Sequence, residues 1–312
     1  MLKYFIKFLI SAILVTWLFQ RGLIDIEYVK EIISNTQILG LCLLIFLFQA
    51  ILSSLRFLFI LKSSHIHSIS FFKALCLNQV GLFFNTFLPG SVSGDFFKAY
   101  YLKDHAETDY QKSIILSLSD RIIGLAGLLL LIFLGSIYLN YNTTVNVELI
   151  FYSMSAVIFF SIVGLLILVK YKAFFRLHFK SKKSDSPLKT KIRLALKTLL
   201  NVIARPRILL VNISISLFIQ IANVAIFYLL NKAIFPDSFN PLLLISIVPI
   251  ASFVSGLPLS FSGIGVTHVA LQGLLSQYGV NDGANMFNAY LIVMIIYNFF
   301  GIFPFIFLKK EK

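Results

Sequence analysis

Asp95, Lys98, Asp120 and Arg121 stand inside long apolar stretches of this chain. A charge at the centre of a bilayer costs roughly 2.5–3.5 kcal/mol on insertion scales, so such groups pair with one another or face a wet cavity. Asp95 and Lys98 are three residues apart, within pairing reach on a helix. Asp120 and Arg121 are neighbours and project about 100° apart, so they do not face each other. The expected pairs are therefore Arg121 with Asp95 and Asp120 with Lys98. Such a group can lock helices together, and it can hold a phosphate when the lock opens. Hydrolytic chemistry would need paired carboxylates or a metal cluster. Asp95 and Asp120 are the carboxylates that can be placed within the membrane, and both are expected in ion pairs. No catalytic residue, no metal site and no cofactor is expected, and the chain is read as a non-enzyme.

The second kind of candidate is a pair of breaks. Leu88-Pro89-Gly90-Ser91-Val92-Ser93-Gly94 and Leu257-Pro258-Leu259-Ser260-Phe261-Ser262-Gly263 agree at five of seven positions, 169 residues apart. Proline removes a donor and glycine weakens a helix, so neither stretch continues as one straight span. Non-helical backbone is not tolerated against lipid, so each break must line a cavity or pack on protein. Helices restart after each break, at Gly94-Asp95 and at Gly265-Val266, and their N-termini attract anions. The substrate-binding set read from these signals is Asn85, Pro89, Gly90, Gly94, Asp95, Lys98, Asp120, Arg121, Ser260, Gly263, Gly265 and His268. His268 is a candidate proton-coupling group, although a lone membrane histidine more often serves packing. Arg56 is expected to snorkel to the inner face, with addition to a phosphate site as the alternative. Asn78, Gln79, Gln220, Asn223 and Asn298 are expected to hydrogen-bond between helices.

The elements that must position these residues are apolar helices. The chain has 312 residues, 58% of them hydrophobic, and a mean hydropathy of +0.89. Charged residues are 13%, against roughly 25% in soluble domains, which excludes a soluble enzyme and a disordered tail. Cys42 and Cys76 form no ligand pattern and read as small buried hydrophobes. Apolar spans are expected over 4–20, 38–62, 111–139, 149–169, 207–233 and 284–308, with broken segments at 69–105 and 241–283. The first span follows Lys3 and Lys7 without a small-residue cleavage site, so it reads as an uncleaved helix.

The net charge is +14, and its placement sets topology. Between 170 and 207 stand twelve Lys and Arg against the single acid Asp185, which reads as a cytoplasmic loop. Anionic lipid is the expected partner of this basic loop, and nucleic acid is not expected. The N- and C-termini, with Lys3, Lys7, Lys309, Lys310 and Lys312, agree with the cytoplasmic side. Threading the spans makes the broken segments hairpins that enter from opposite faces. The reading is one all-α, polytopic membrane domain, 1–312. It has about six full spans and two broken re-entrant hairpins. Repeat A is 1–139, repeat B is 149–308, and the basic loop is 170–206. Opposite orientation of the halves makes this an inverted-topology repeat, a common transporter build.

Asn85-Thr86-Phe87-Leu88-Pro89-Gly90, followed by Gly94-Asp95, Lys98, Tyr100 and Asp120-Arg121 with Gly124-Leu125, resembles the first signature of the lysylphosphatidylglycerol synthetase transmembrane-region family. Pro258, Ser260, Gly263, Gly265 and Val266 resemble its second. The resemblance runs over nearly the whole chain and implies a flippase-like membrane domain. Ser91 and Ser93 stand where the family favours glycine, Lys98 where it favours arginine, and Thr267-His268 where it tends to carry Arg-Glu. No synthetase domain is expected after the last span, so lysyl-lipid synthesis is not implied.

The leading expectation is a flippase for an anionic or lipid-linked headgroup in the cell membrane, passing through a cavity between the hairpins. No GxxxxGK[ST] sequence occurs, so ATP binding by a P-loop is not expected. The alternatives are a non-catalytic partner of an envelope lipid synthase and a membrane-embedded lipid-phosphate or lipid-sugar enzyme. A homo-oligomer or an envelope synthase is the protein partner considered, with a membrane phospholipid or lipid-linked molecule as substrate.

Overall fold

The computed structural model describes Thr16 and residues 30–31, 34–87, 93–106, 108–142, 205–234, 241–257 and 263–308, and every described regular element is a helix. The expected span 4–20 apart from Thr16, the expected span 149–169, most of the basic loop 170–206, and Pro89, Gly90 and Ser260 lie outside the described residues.

Helix α1 runs Thr36–Ser63, and the Asn35 side chain starts it by accepting the Ile38 N–H at 3.2 Å. Helices α2 (Phe71–Phe87) and α3 (Ser93–Ala106) follow. They are too short to span singly, given about 20 residues for a crossing. Helix α4 is Tyr110–Asn142 and α5 is Pro206–Ile234. Helices α6 (Pro241–Gly256) and α7 (Val266–Ser276) are again short, and Pro249 lies inside α6. Helix α8 (Gly283–Phe299) continues through Gly301 into α9 (Ile302–Phe307). Among the described residues, four segments are long and apolar enough to cross a membrane: Thr36–Ser63, Tyr110–Leu139, Arg207–Lys232 and Gly283–Phe307. They match the expected spans 38–62, 111–139, 207–233 and 284–308.

Lipid is as apolar as leucine, so helices here associate through close packing and polar contacts rather than burial from water. Small residues make the approach. Helices α2 and α3 lie antiparallel, with Gly81 against Gly94 and the Phe84 and Phe97 rings stacked at 3.7 Å between centroids. A Cβ on Gly94 would collide with the Gly81 carbonyl oxygen. Gly127 of α4 meets Ser216 of α5 in the same way, and Gly135 of α4 meets Ser246 of α6. Among the described residues, the buried side chains form three clusters. One joins α1–α4 around Phe57, Leu77 and Leu116, and one joins α4–α8 around Phe227, Val248 and Leu271. The third is a seam of α1, α5 and α8, with Phe46 stacked on Tyr297.

Gly94→Ala is accordingly expected to push α2 and α3 apart and cost about 1–3 kcal/mol, the range for overpacking. Thermal unfolding of the purified protein in detergent reads this. A melting temperature equal to wild type would contradict the tight α2–α3 contact.

Candidate functional site

The intramembrane charges meet where α1, α3 and α4 converge. Asp120 is buried and is shared by two cations: Arg56 Nε stands 2.7 Å from Oδ1, and Lys98 Nζ stands 3.1 Å from Oδ2. Lys98 also lies 3.4 Å over the centre of the Phe57 ring, so its ammonium is held by a carboxylate and an aromatic face. Arg56 extends further and donates from Nη1 to Ser216 Oγ of α5 at 2.9 Å; that hydroxyl donates in turn to the Asn212 carbonyl at 2.8 Å. Asn78 of α2 donates to Ser54 Oγ of α1 at 3.0 Å beside this group. Gly124 makes room for the Arg56 guanidinium, since a Cβ there would lie 3.0 Å from Nη1.

Arg121, about 100° around α4 from Asp120, pairs with Asp95 of α3, Nε to Oδ2 at 2.7 Å. Both pairs expected from the sequence are therefore present. The i,i+3 alternative, Asp95 with Lys98, is not the arrangement. Arg56 does not snorkel; it is buried and completes the cluster, because one lysine cannot satisfy both oxygens of Asp120 at this depth. The cluster holds three cations (Arg56, Lys98, Arg121) and two anions (Asp95, Asp120), a balance of +1.

A central cavity opens beside the cluster, between α1, α2, α4, α5, α6 and α8. Its larger lobe has a volume of about 670 Å³ and the second about 470 Å³. Gln49, Arg121, Gln220 and Asn298 belong to the walls of both. Arg121 is the member of the cluster common to both lobes; its side chain is 39% exposed although it is paired. The second lobe adds Asn85, Thr86, Asn223, Ser252, Ser255 and Thr267.

The expected substrate residues thus divide. Arg121 and Asn85 line the cavity. Lys98 and Asp120 are buried behind its wall, and Asp95 holds Arg121 in place. Gly94 starts α3 and its N–H donates to Asn85 Oδ1 at 2.8 Å, so that terminus is already capped. Gly263 and Gly265 both have positive φ (+78° and +85°), which a glycine adopts without strain. The Gly265 N–H donates to His268 Nδ1 at 3.2 Å, and His268 Nε2 bonds the Asn288 side chain at 2.7 Å. His268 is buried and ties the start of α7 to α8, a bridging position away from the cavity walls.

Sequence reasoning did not single out Gln49, Ser252, Ser255 or Thr267. Gln49 is a lone amide in an apolar run, which is a legible signal. The three hydroxyls carry none, because serine and threonine can satisfy themselves within any helix. Asn298, expected to bridge helices, does so by donating to Thr86 Oγ1 at 2.8 Å.

The family model described as Lysylphosphatidylglycerol synthase TM region matches residues 4–304. No curated protein and no solved structure matches the chain.

Proposed function

We propose a function from this premise: the chain is a multi-pass membrane protein and belongs to the lysylphosphatidylglycerol synthase TM-region family. It is a lipid flippase, moving an anionic or lipid-linked headgroup between leaflets through the central cavity while the acyl tails stay in lipid. One observation carries this reading. A buried cluster with a balance of +1 presents Arg121 to the cavity while Asp120 neutralises the cations behind it. Arg121 stands about 17 Å along α4 from Tyr110, near the middle of a hydrocarbon core about 30 Å thick. A phosphate crossing at that depth needs a counter-charge, and Arg121 supplies one.

A correspondence of helix positions between the two halves of the chain supports the reading. Shifted by 169 residues, α1 becomes 205–232 against Pro206–Ile234, and α2 becomes 240–256 against Pro241–Gly256. Likewise α3 becomes 262–275 against Val266–Ser276, and α4 becomes 279–311, the stretch that holds α8 and α9. On this reading α2–α3 and α6–α7 are re-entrant hairpins entering from opposite faces, and the cavity lies between the repeats. The termini and the basic loop are cytoplasmic by the distribution of lysine and arginine.

An enzyme acting on lipid phosphate would need a free carboxylate pair. The engagement of both Asp95 and Asp120 with cations favours transport instead. The test is leaflet exchange in proteoliposomes, with tail-labelled anionic and zwitterionic lipids and a membrane-impermeant quencher. Protein-dependent exchange of an anionic lipid at least about tenfold above empty vesicles is the expected result. Exchange no faster than in empty vesicles, across anionic glycerophospholipids and lipid-linked sugars, would overturn transport.

A further inference from the structure

Resting on the flippase reading, we infer that the headgroup taken by the cavity carries a phosphate and a neutral polyol, glycerol or sugar, and that headgroups ending in an ammonium are rejected.

The two ends of the cavity differ in chemistry. Arg121 is the charged end. Beyond Arg121, the polar groups of the second lobe are neutral hydroxyls and amides. Asn223 of α5 donates to Ser252 Oγ of α6 at 3.1 Å, and Asn85, Thr86, Ser255 and Thr267 complete that wall. Thr267 is buried, and its hydroxyl has no partner among the described residues. The Ser255 and Thr267 hydroxyls converge on Gly263. A Cβ at Gly263 would lie 2.9 Å from Thr267 Oγ1 and would collide with Ser255 Oγ. The absent side chain lets the two hydroxyls pack side by side against the Gly263 backbone, in the wall of the second lobe. A buried hydroxyl left without a partner is costly, and a hydroxyl both donates and accepts. Its natural complement is another hydroxyl.

An ammonium is a poor fit to the same walls. It offers three donors and no acceptor, and in a low-dielectric site it needs a carboxylate. No Asp or Glu lines either lobe among the described residues. The segments 88–92 and 258–262 contain no acid either. Asp95 and Asp120, the carboxylates within the apolar segments, are engaged by three cations, and the cluster's +1 balance repels a further cation. An aminoacylated headgroup would bring a positive charge against Arg121 with no lining carboxylate among the described residues to offset it.

The test reconstitutes the full chain in phosphatidylcholine vesicles with tail-labelled phosphatidylglycerol, phosphatidate or lysyl-phosphatidylglycerol. Exchange is measured together with lipid retention on the purified protein by native mass spectrometry. The expected result is exchange and retention of phosphatidylglycerol at least about tenfold above the lysyl lipid and several-fold above phosphatidate. In the double variant Ser255→Ala, Thr267→Val, with unchanged melting temperature, the preference for phosphatidylglycerol over phosphatidate collapses toward unity. If the double variant lowers the melting temperature, Thr267→Val alone carries the same comparison and is expected to at least halve that preference. Lysyl lipid handled as well as phosphatidylglycerol, or a preference that survives the substitutions, overturns the inference. Retention with this preference but no exchange upholds the headgroup class and overturns transport. Exchange without preference does the reverse.

Discussion

Asp120→Ala is expected to destabilise the protein by about 3–5 kcal/mol, the cost of removing one member of a buried ion pair. Asp120 is the common partner of Arg56 on α1 and Lys98 on α3, at 2.7 and 3.1 Å. Its loss leaves two buried cations without a carboxylate, inside protein that is itself surrounded by lipid. Ser216 still accepts from Arg56 and the Phe57 ring still lies under Lys98, but neither carries a full negative charge. Asp120→Asn keeps the shape and one acceptor, so it should fall between wild type and alanine. Adding Lys98→Met to Asp120→Ala removes one stranded charge and should recover part of the loss. Denaturation of the detergent-solubilised protein reads all three. A single alanine variant as stable as wild type would contradict the shared pairing. Full additivity in the double variant would contradict the coupling between Asp120 and Lys98.

Arg121→Ala is expected to slow anionic-lipid exchange by roughly tenfold to a hundredfold while the protein stays folded and inserted. The estimate follows from a charge-assisted hydrogen bond worth about 1.5–3 kcal/mol, at 1.4 kcal/mol per tenfold. Arg121 differs from Arg56 and Lys98 in its surroundings: it pairs with Asp95 rather than with the shared Asp120, and it opens on both lobes of the cavity. Its removal strands one partly screened acid, Asp95, so the structural cost is smaller than for Asp120. Arg121→Lys retains the charge without the planar fork and should restore part of the rate. Wild-type exchange in Arg121→Ala would remove this side chain from the headgroup path. Equal losses of exchange and of melting temperature would make it a structural lock instead.

Much of this was legible in the residue types. Apolar runs of the right length located four described spans within about two residues of their starts, because a 30 Å core imposes the length. Proline and glycine marked both interruptions, since they act on the backbone locally. The pairs Arg121–Asp95 and Lys98–Asp120 followed from helix geometry and from the cost of an unpaired intramembrane charge. Arg56 was not legible in this way. It lies 64 residues from Asp120, and a long cationic side chain can equally reach the interface; only the packing of α1 on α4 and the space above Gly124 decide that it turns inward.

The cavity is the clearest case of the same limit. Asn85 and Arg121 signalled their importance by being polar in apolar surroundings. Gln49, Ser252, Ser255 and Thr267 come together from three helices, and nothing in local spacing says which of their faces is shared. Gly94 and Gly265 signalled helix starts correctly, but the sequence pattern could not show that Asn85 and His268 already accept their N–H groups. Local chemistry therefore determined which residues must be helical, where helices stop and which charges need partners, because each is set by one segment and its solvent. Tertiary packing decided which partner each charge takes and which polar groups face one cavity, because those depend on distances between segments that no single stretch of chain contains.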